Sequence, residues 1–446
     1  MIATAPRAAL AMAVVIGSTW SAAPAAAESN FRCTGLEQNR ELPSIEGRDG
    51  VFFRINADLR MNHPFSDQTV AYLSELSQAL AENGTTLIYV PIPTKSVTMP
   101  DHLPEAAPLY GFDLQIATHV HDDILERLNA AGVVTVDARS AMLQAPEDDL
   151  AFFKADFHWS ASGARETAKA IADVIRAQPG YDDLSKVTYE SQPQDVEIAF
   201  SGMRRLLQTH CLDTLPEAET MTYETVQTSA VDLAGGLDLF GDSADAVPVA
   251  LIGTSFSDSP INNFPGFIAE YAELEVINYA ITGGNQYGAM ISYLTSTEFQ
   301  ETRPKFLIWE NPIYNNLAQF GDQPMRELIA AAGRSCTLAL PAQVADDLSG
   351  LTVDLAGYDL GPEDTLLVDT NRSLGLTADF TFHAESGLSR TKTIVRGERL
   401  TRTGRFYMPL SGLWPEGAAS LSFAMDRPFS SAPTVHACTS SRKEDS

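Results

Sequence analysis

Two short segments of the sequence combine residue types that could activate a hydroxyl group as a nucleophile. The first reads D-F-H-W from Asp156, so that a carboxylate stands two residues before His158. Such a histidine can take a proton from a hydroxyl while the aspartate orients its ring. The second is the apolar run 249–252 followed by Gly-Thr-Ser, which places Ser255 at the turn after a predicted strand. Together they predict a triad with Ser255 as nucleophile, His158 as base and Asp156 as orienting carboxylate.

Each segment also has an ordinary structural interpretation. A serine at a strand end is commonly a turn or capping residue, and a histidine in a loop is commonly solvated. The helix predicted over 164–176 begins directly after the histidine segment, with Ser160 or Ser162 as its N-cap. The presence of both segments in one chain favours catalysis over these alternatives.

The groups that would stabilise an oxyanion are less clearly marked. The backbone N–H of Ser255 is one candidate donor. Gly283 and Asn285 follow the apolar run 276–279, where glycine permits a close backbone approach and the asparagine amide could donate. Tyr287 is expected to line the same cleft. A tight turn is the alternative interpretation of this loop.

Apolar runs of strand length alternate with helical patterns from about residue 30 to 333. Helical patterns at 67–82 and 118–129 each precede one of these runs. The runs lie at 87–90, 133–136, 249–252, 276–279 and 306–309. Continuous apolar strands between helices predict an α/β fold with a buried, mostly parallel sheet, whose chemistry sits at the carboxyl ends of the strands. Glu310 stands at one such end, and neither a chemical nor a structural role for it follows from the sequence.

The pattern changes after about residue 335. Short apolar runs are separated by Gly, Pro and Asp, and no helical period of useful length is present. This predicts a small all-β sandwich over 336–446 after an α/β domain over 28–335, with a linker near 341–350.

Six basic residues stand against one acid between positions 386 and 406, in a chain whose net charge is −28. They are Arg390, Lys392, Arg396, Arg399, Arg402 and Arg405. Residues 395–399 are predicted to form a hairpin turn, and a basic strand pair near Trp414 could bind uronate carboxylates. A solubilising edge strand is the alternative. The acidity of the whole chain excludes a general nucleic-acid binder.

The first 27 residues have the pattern of a secretory signal peptide. Arg7 is the only charged residue before Glu28, the apolar run 8–17 is too short to span a bilayer, and small residues lead to Ala27. An uncleaved membrane anchor is the alternative. Cleavage after Ala27 would give an exported mature protein.

Four cysteines in an exported chain indicate disulfides. Three pairings are possible, and the positions favour Cys33 with Cys211 and Cys336 with Cys438. Free buried cysteines are the alternative. The sequence contains no C-x-x-C spacing that would indicate zinc, and it implies neither a metal nor an organic cofactor.

The two catalytic segments also resemble known blocks. The segment GTSFS is similar to the G-[D/T]-S-x-S block of SGNH/GDSL-like enzymes, with Thr254 where the GDSL enzymes have aspartate. The segment DFHWSASGA closely resembles the D-x-H-W-S-x-x-G-A block of the alginate O-acetyltransferase family, the AlgX/AlgJ-like proteins. In that family the histidine block precedes the serine, as it does here, whereas ordinary SGNH hydrolases have the serine first.

The resemblance extends over nearly the whole mature chain and implies a function. It implies an SGNH-like acetyltransferase domain followed by a carbohydrate-binding module, and a periplasmic enzyme that moves acetyl groups through an acetyl-serine to an exopolysaccharide. It further implies an anionic acceptor such as alginate, a donor supplied by a membrane O-acyltransferase system, and export proteins of the outer membrane as candidate partners. The alternatives are an acetyl esterase with the same triad and a non-catalytic polysaccharide-binding export scaffold.

Overall fold

A parallel sheet of five strands forms the centre of the first part of the chain. The computed structural model describes residues 29–228 and 247–439, so the predicted signal peptide lies outside the described residues. From edge to edge, the strands are Val134–Thr135, Thr86–Ile92, Phe306–Pro312, Val249–Ile252 and Val276–Asn278. Every residue of the central strand Phe306–Pro312 is buried. The predicted α/β architecture is therefore confirmed.

Helices cover both faces of this sheet because alternate residues of a strand point to opposite sides. Ile88 and Val90 belong to the apolar cluster that includes the helix Ala161–Arg176. Leu87 and Tyr89 belong to the cluster on the opposite face. The α-helices are Asp67–Ala81, Lys95–Thr98, Leu114–Ala130, Ala138–Met142, Ala161–Arg176, Gly202–Gln208, Ser255–Asp258, Phe264–Ala272, Gly288–Leu294, Thr297–Glu301 and Gln323–Ala332. In the described part of the chain, none of them is long and apolar enough to cross a membrane.

Two antiparallel strand pairs lie outside the central sheet. One joins Ser44–Glu46 to Phe52–Arg54, and the other joins the longer strands Tyr189–Ala199 and Ala218–Gln227. The first of the longer strands has no fully buried residue. It lacks the apolar pattern of a half-buried strand, so the sequence does not predict it.

The C-terminal part consists of two antiparallel sheets that share one apolar core. The four-stranded sheet has the order Leu338–Leu340, Thr434–Cys438, Thr365–Asp369 and Arg405–Pro409. The five-stranded sheet has the order Ala342–Val344, Gly350–Asp354, Ser420–Met425, Thr377–His383 and Ser389–Val395. Val368 and Met408 of one sheet belong to the same cluster as Phe380 and Phe423 of the other. The all-β prediction is confirmed, whereas the predicted linker contains the strand Ala342–Val344.

The basic segment does not form the predicted hairpin. Strands Ser389–Val395 and Arg405–Pro409 lie in different sheets, so residues 396–404 form a crossover loop between them. This loop packs against the first part of the chain: Leu400 contacts Gly288, and the Thr401 N–H donates to Ser292 Oγ at 3.2 Å. A local sequence pattern does not show which sheet each strand joins, and the hairpin prediction was wrong for this reason.

Two disulfides are present, and they are the two pairings that the sequence favours. Cys33 is bonded to Cys211 in the first part, and Cys336 is bonded to Cys438. The second bond joins the segment after helix Gln323–Ala332 to the strand Thr434–Cys438. It therefore ties the start of the β part to its last described strand.

A buried ion pair joins the two parts of the chain. Glu327, on helix Gln323–Ala332, is completely buried, and Arg396 of the crossover loop donates to both of its carboxylate oxygens. The backbone N–H of Tyr407 donates to the same carboxylate at 3.3 Å. These contacts connect the helix to both ends of the crossover loop.

We expect Arg396→Ala to lower the free energy of unfolding by about 3–5 kcal/mol, because it leaves the Glu327 carboxylate buried without its partner. Urea unfolding followed by circular dichroism measures this loss. Arg402→Ala removes the same charge from an exposed position of the loop and should change the free energy by less than about 0.5 kcal/mol. Equal losses in the two variants would contradict a stabilising role for the buried pair.

Candidate active site

The three residues of the predicted triad meet at the carboxyl edge of the central sheet. His158 Nδ1 lies 2.6 Å from Asp156 Oδ1, and His158 Nε2 lies 2.8 Å from Ser255 Oγ. An ionised carboxylate can only accept, so Nδ1 carries the ring proton and Nε2 accepts from the serine hydroxyl. The His158 side chain is 23% exposed and that of Asp156 is 4% exposed. Solvent therefore reaches the imidazole while the carboxylate is covered.

Ser255 is placed by a short turn between a strand and a helix. The strand Val249–Ile252 ends at Gly253, and Ser255 is the first residue of the helix Ser255–Asp258. Thr254 caps this helix by accepting from the Phe256 N–H at 3.3 Å. The N–H of Ser255 lies in the first turn, where backbone donors have no acceptor within the helix. It therefore stays a candidate donor to an oxyanion.

The histidine segment is attached directly to the nucleophile helix. Phe152 and Trp159 form an isolated antiparallel bridge, and the Phe153 N–H donates to the His158 carbonyl at 3.2 Å. The buried indole of Trp159 donates from Nε1 to the Phe256 carbonyl at 2.9 Å. The helix that follows starts at Ala161, earlier than predicted, with Ser160 as its cap. These contacts hold the imidazole in front of Ser255.

Ser201 completes the surroundings of the aspartate, and no sequence motif indicated this role. Its hydroxyl donates to Asp156 Oδ2, while Oδ1 accepts from both the backbone and the ring of His158. Burial acts to raise the pKa of Asp156, but the hydrogen bonds from His158 and Ser201 lower it below its ordinary value. The carboxylate is therefore ionised at neutral pH. In the sequence, Ser201 is marked only as a helix cap.

A buried lysine donates hydrogen bonds to the backbone of the histidine segment. Lys95 Nζ donates to the carbonyls of Phe52, Phe153, Lys154 and Asp156 at 2.5–3.2 Å. Burial lowers the pKa of Lys95 to about 8, although the charges of Asp58 and Asp156 oppose this shift. An ammonium group among these carbonyl oxygens fixes the backbone that leads to the histidine and ties it to the strand Phe52–Arg54. Its sequence context, a lysine after an apolar strand, gave no indication of this role.

Glu310 lies beneath the nucleophile turn. It is completely buried in the central strand and accepts the Thr254 N–H at 2.7 Å. This contact places it beside Ser255, although no contact between the two is present. The sequence left the role of this residue open.

Tyr287 does not line the cleft, contrary to the prediction. It is 2% exposed, lies near Trp309 in the apolar cluster on one face of the sheet, and donates from its hydroxyl to the Leu317 carbonyl. The ring is placed by the helix that begins at Gly288, which turns it toward the core. Its buried hydroxyl is thus occupied by a structural hydrogen bond.

Gly283 and Asn285 lie in a loop at the same edge of the sheet as Ser255. The Ile281 N–H donates to the Gly253 carbonyl at 3.1 Å, which brings this loop against the nucleophile turn. Both Gly283 and Asn285 have positive φ angles, and Asn285 Oδ1 accepts the Tyr287 N–H at 2.9 Å. Neither contacts Ser255, so their role as oxyanion donors stays a prediction.

Three of the six basic residues are engaged by groups of the chain itself. Arg396 pairs with Glu327, and Arg405 pairs with Asp369 at 2.9 Å. Lys392 donates to the backbone carbonyls of Pro409 and Ser411. The remaining three are exposed: Arg390 lies over the Trp414 ring and donates to Gly412, Arg399 donates to the Thr282 carbonyl beside Gly283, and Arg402 lies on the crossover loop.

No group of three or more His, Cys, Asp or Glu side chains that could hold a metal ion is present among the residues that the structure describes. The described site consists of protein groups for nucleophilic attack and proton transfer, and its arrangement can support transfer of an acyl group to and from Ser255.

Comparison with known proteins identifies a family. The family model described as "SGNH hydrolase-like domain, acetyltransferase AlgX" matches residues 45–313. The alginate biosynthesis protein AlgX of Pseudomonas aeruginosa is 30% identical over 275 residues, which cover 62% of this chain and 56% of that protein. The probable alginate O-acetylase AlgJ of the same species is 28% identical over 318 residues, which cover 66% of this chain and 78% of that protein.

The solved structure of Pseudomonas aeruginosa AlgX is similar to this chain, with a TM-score of 0.74 at 23% sequence identity. The match covers 92% of this chain and 97% of that one. At this level of identity the likeness shows a shared fold, and it includes the C-terminal sheets.

We expect a serine-directed sulfonyl fluoride to label Ser255, because His158 can accept its proton. Replacing His158 with Gln should lower the labelling rate about 100-fold, the contribution of a positioned general base. Mass spectrometry of tryptic peptides identifies the labelled residue and its rate of labelling. Ser259→Ala, which changes a hydroxyl just beyond the same helix, should label as fast as the unchanged protein. Labelling at another serine would contradict the assignment of the nucleophile.

Proposed function

Because the chain belongs to the AlgX family of SGNH hydrolase-like domains, we propose that it is an exported O-acetyltransferase that acetylates hydroxyls of an anionic exopolysaccharide. The observation that carries this proposal is the line of contacts from Asp156 through His158 to Ser255. The chain spans 56% of the AlgX relative, so the activity and substrate rest on the site together with the family.

The geometry supports a two-step acyl transfer. Ser255 Oγ gives its proton to His158 Nε2 and attacks the carbonyl carbon of the acetyl donor. The leaving group takes the proton back from His158, and an acetyl-serine remains. A sugar hydroxyl then gives its proton to His158 and attacks the same carbon, which releases the acetylated sugar and returns the proton to Ser255.

Asp156 makes both proton transfers easier. Its carboxylate is held ionised by hydrogen bonds and lies 2.6 Å from the imidazole, so it stabilises the imidazolium that forms in each step. The Ser255 N–H, with Gly283 and Asn285 as further candidates, would donate to the oxyanion. An intact line of contacts argues against a purely non-catalytic scaffold.

The β part, proposed as a carbohydrate-binding module over 336–446, favours transfer over hydrolysis. A bound stretch of polymer raises the local concentration of the next hydroxyl relative to what free diffusion supplies. We propose alginate or a similar uronate polymer as acceptor, because the curated relatives are alginate proteins. Arg390, Arg399, Arg402 and Trp414 are the proposed contacts. Of the other predicted residues, Lys392 donates to backbone carbonyls, and Arg396 and Arg405 are paired with acids of the chain.

We also propose that the protein is exported. Residues 1–27 are proposed as a cleaved signal peptide that directs the domain over 28–335 and the β part to the periplasm. There the acetyl donor would come from a membrane O-acyltransferase system, and outer-membrane export proteins would be partners.

We expect purified protein given p-nitrophenyl acetate and uronate oligosaccharides to add acetyl groups to the sugar, with Ser255→Ala abolishing the mass gain of one acetyl. Mass spectrometry of the oligosaccharides measures the product, and a neutral glucan oligomer is the acceptor control. Acetate release without a sugar product would favour the esterase. Absence of acetyl-Ser255 in the unchanged protein would contradict the proposed chemistry.

We expect Arg390→Ala to weaken binding of uronate oligosaccharides about two- to fivefold, the size expected for an exposed charge pair. Isothermal titration at two salt concentrations measures the effect, which should shrink at high salt. Arg427→Ala removes an exposed arginine from another loop of the β part and should leave the affinity unchanged. Equal weakening by both variants would indicate a nonspecific charge effect.

A further inference from the structure

Glu310 is a buried acid for which the mechanism above has no use. It lies in the strand Phe306–Pro312, one residue beyond the last pairing with the neighbouring strand Val249–Ile252. At this point the neighbouring chain turns toward Ser255. Its side chain is completely inaccessible to solvent. A carboxylate is costly to bury, so its contacts must compensate for the lost hydration.

All three donors that reach Glu310 come from the nucleophile turn. Oε2 accepts from the Thr254 N–H at 2.7 Å and from Ser257 Oγ at 2.9 Å. The Thr254 hydroxyl donates to the same carboxylate at 3.1–3.2 Å. These donors stand on either side of Ser255. The carboxylate thus holds the turn before the nucleophile and the first turn of the helix after it.

Gly253 makes this approach possible. A Cβ at Gly253 would collide with Glu310 Oε2 and with the Ser257 side chain. The glycine of the Gly-Thr-Ser segment is therefore required by the carboxylate beneath it. Thr254 stands where the GDSL block has aspartate, and its hydroxyl is oriented by Glu310 so that it can also accept the Phe256 N–H.

No lysine or arginine in the described part of the chain balances this acid. The groups that face it are His158 across the turn, and Tyr89 and Tyr314 from neighbouring elements. Burial raises the pKa of Glu310 to about 7, while the hydrogen bonds from Thr254 and Ser257 oppose the shift. The hydrogen bonds from Thr254 and Ser257, together with the charge of His158, therefore favour the ionised form.

We propose that Glu310 is a positioning residue for the nucleophile: its carboxylate holds Thr254 and Ser257 and thereby aims Ser255 Oγ at His158 Nε2. The inference rests on the proposed function, because it assigns Glu310 to the acylation of Ser255. A neutral or amide side chain at this position cannot accept from all three donors. The turn then relaxes, and the distance from Ser255 Oγ to His158 Nε2 is no longer maintained.

The test is the rate of acetyl-Ser255 formation from p-nitrophenyl acetate in a single turnover, followed by quenched-flow mass spectrometry. Glu310→Gln should lower the rate constant about 100-fold, the scale expected when a reacting atom is misplaced by about 1 Å. The donor concentration at half-maximal rate should change little, because Glu310 does not contact the donor. Glu327→Gln makes the same change at another fully buried carboxylate and should leave the rate constant of the folded protein unchanged.

Two further measurements separate positioning from a general loss of structure. Ser257→Ala removes one donor without altering the acid and should lower the rate constant about fivefold, as expected for one hydrogen bond. Ser259→Ala removes a hydroxyl just beyond the same helix, outside the contacts of Glu310, and should retain the unchanged protein's rate. If Glu310→Gln fails to fold, these two variants still decide the matter, because equal rates in both would overturn the proposal.

The pH dependence supplies a signature that a structural role would not give. As the pH falls through about 7, the unchanged protein loses the ionised carboxylate of Glu310 that holds the turn, so its rate should fall. Glu310→Gln has no carboxylate to protonate at this position, and the acid limb of its rate profile should be shallower. Identical limbs, or equal rates, would overturn the role of Glu310. Failure of the unchanged protein to form acetyl-Ser255 would instead overturn the proposed function.

Discussion

The 2.8 Å contact between His158 Nε2 and Ser255 Oγ depends on two turns that come from distant parts of the chain. Each turn rests on a charged group buried at the carboxyl edge of the sheet. Lys95 holds the carbonyls around the histidine segment, and Glu310 holds the N–H and hydroxyl donors around the serine. The two groups follow or belong to adjacent strands, so the parallel sheet fixes their relative positions. The distance between the imidazole of His158 and the hydroxyl of Ser255 thus depends on the pairing of these strands.

Burying these charges costs hydration free energy, and hydrogen bonds with neutral polar groups of the fold compensate for it. Lys95 is matched by four carbonyls and Glu310 by three neutral donors, while Arg54 and Asp58 form a buried ion pair below the same edge. Apolar residues of similar volume would commonly be as stable or more stable in such positions. These polar groups lower the stability of the fold, but they hold the side chains of the site in one arrangement. Such a cost in stability is common at functional sites.

Local patterns were sufficient to predict the sheet and to single out Asp156, His158 and Ser255, which the fold brings into contact. Continuous apolar runs predicted the strands because a parallel sheet buries both faces. Asp156 and His158 are only two residues apart, so their contact follows from the local sequence. Tyr287 was assigned wrongly because the side of a helix that faces the core depends on packing between distant elements. Lys95 and Ser201 were missed for the same reason. Lys95 donates to backbone carbonyls and Ser201 donates to a carboxylate, and these acceptors come from distant parts of the sequence. The basic segment was misassigned because its two strands enter different sheets.

The orientation of the β part relative to the site is also set by contacts rather than by a linker. Arg399 donates to the Thr282 carbonyl, and the Thr282 N–H donates to Asp258 of the nucleophile helix at 2.8 Å. The buried pair of Arg396 with Glu327 fixes the other end of the same crossover loop. A polymer bound by the β part would therefore approach Ser255 along a fixed direction. Under the proposed function, the effective concentration of acceptor hydroxyls would depend on the spacing between the binding residues and the serine.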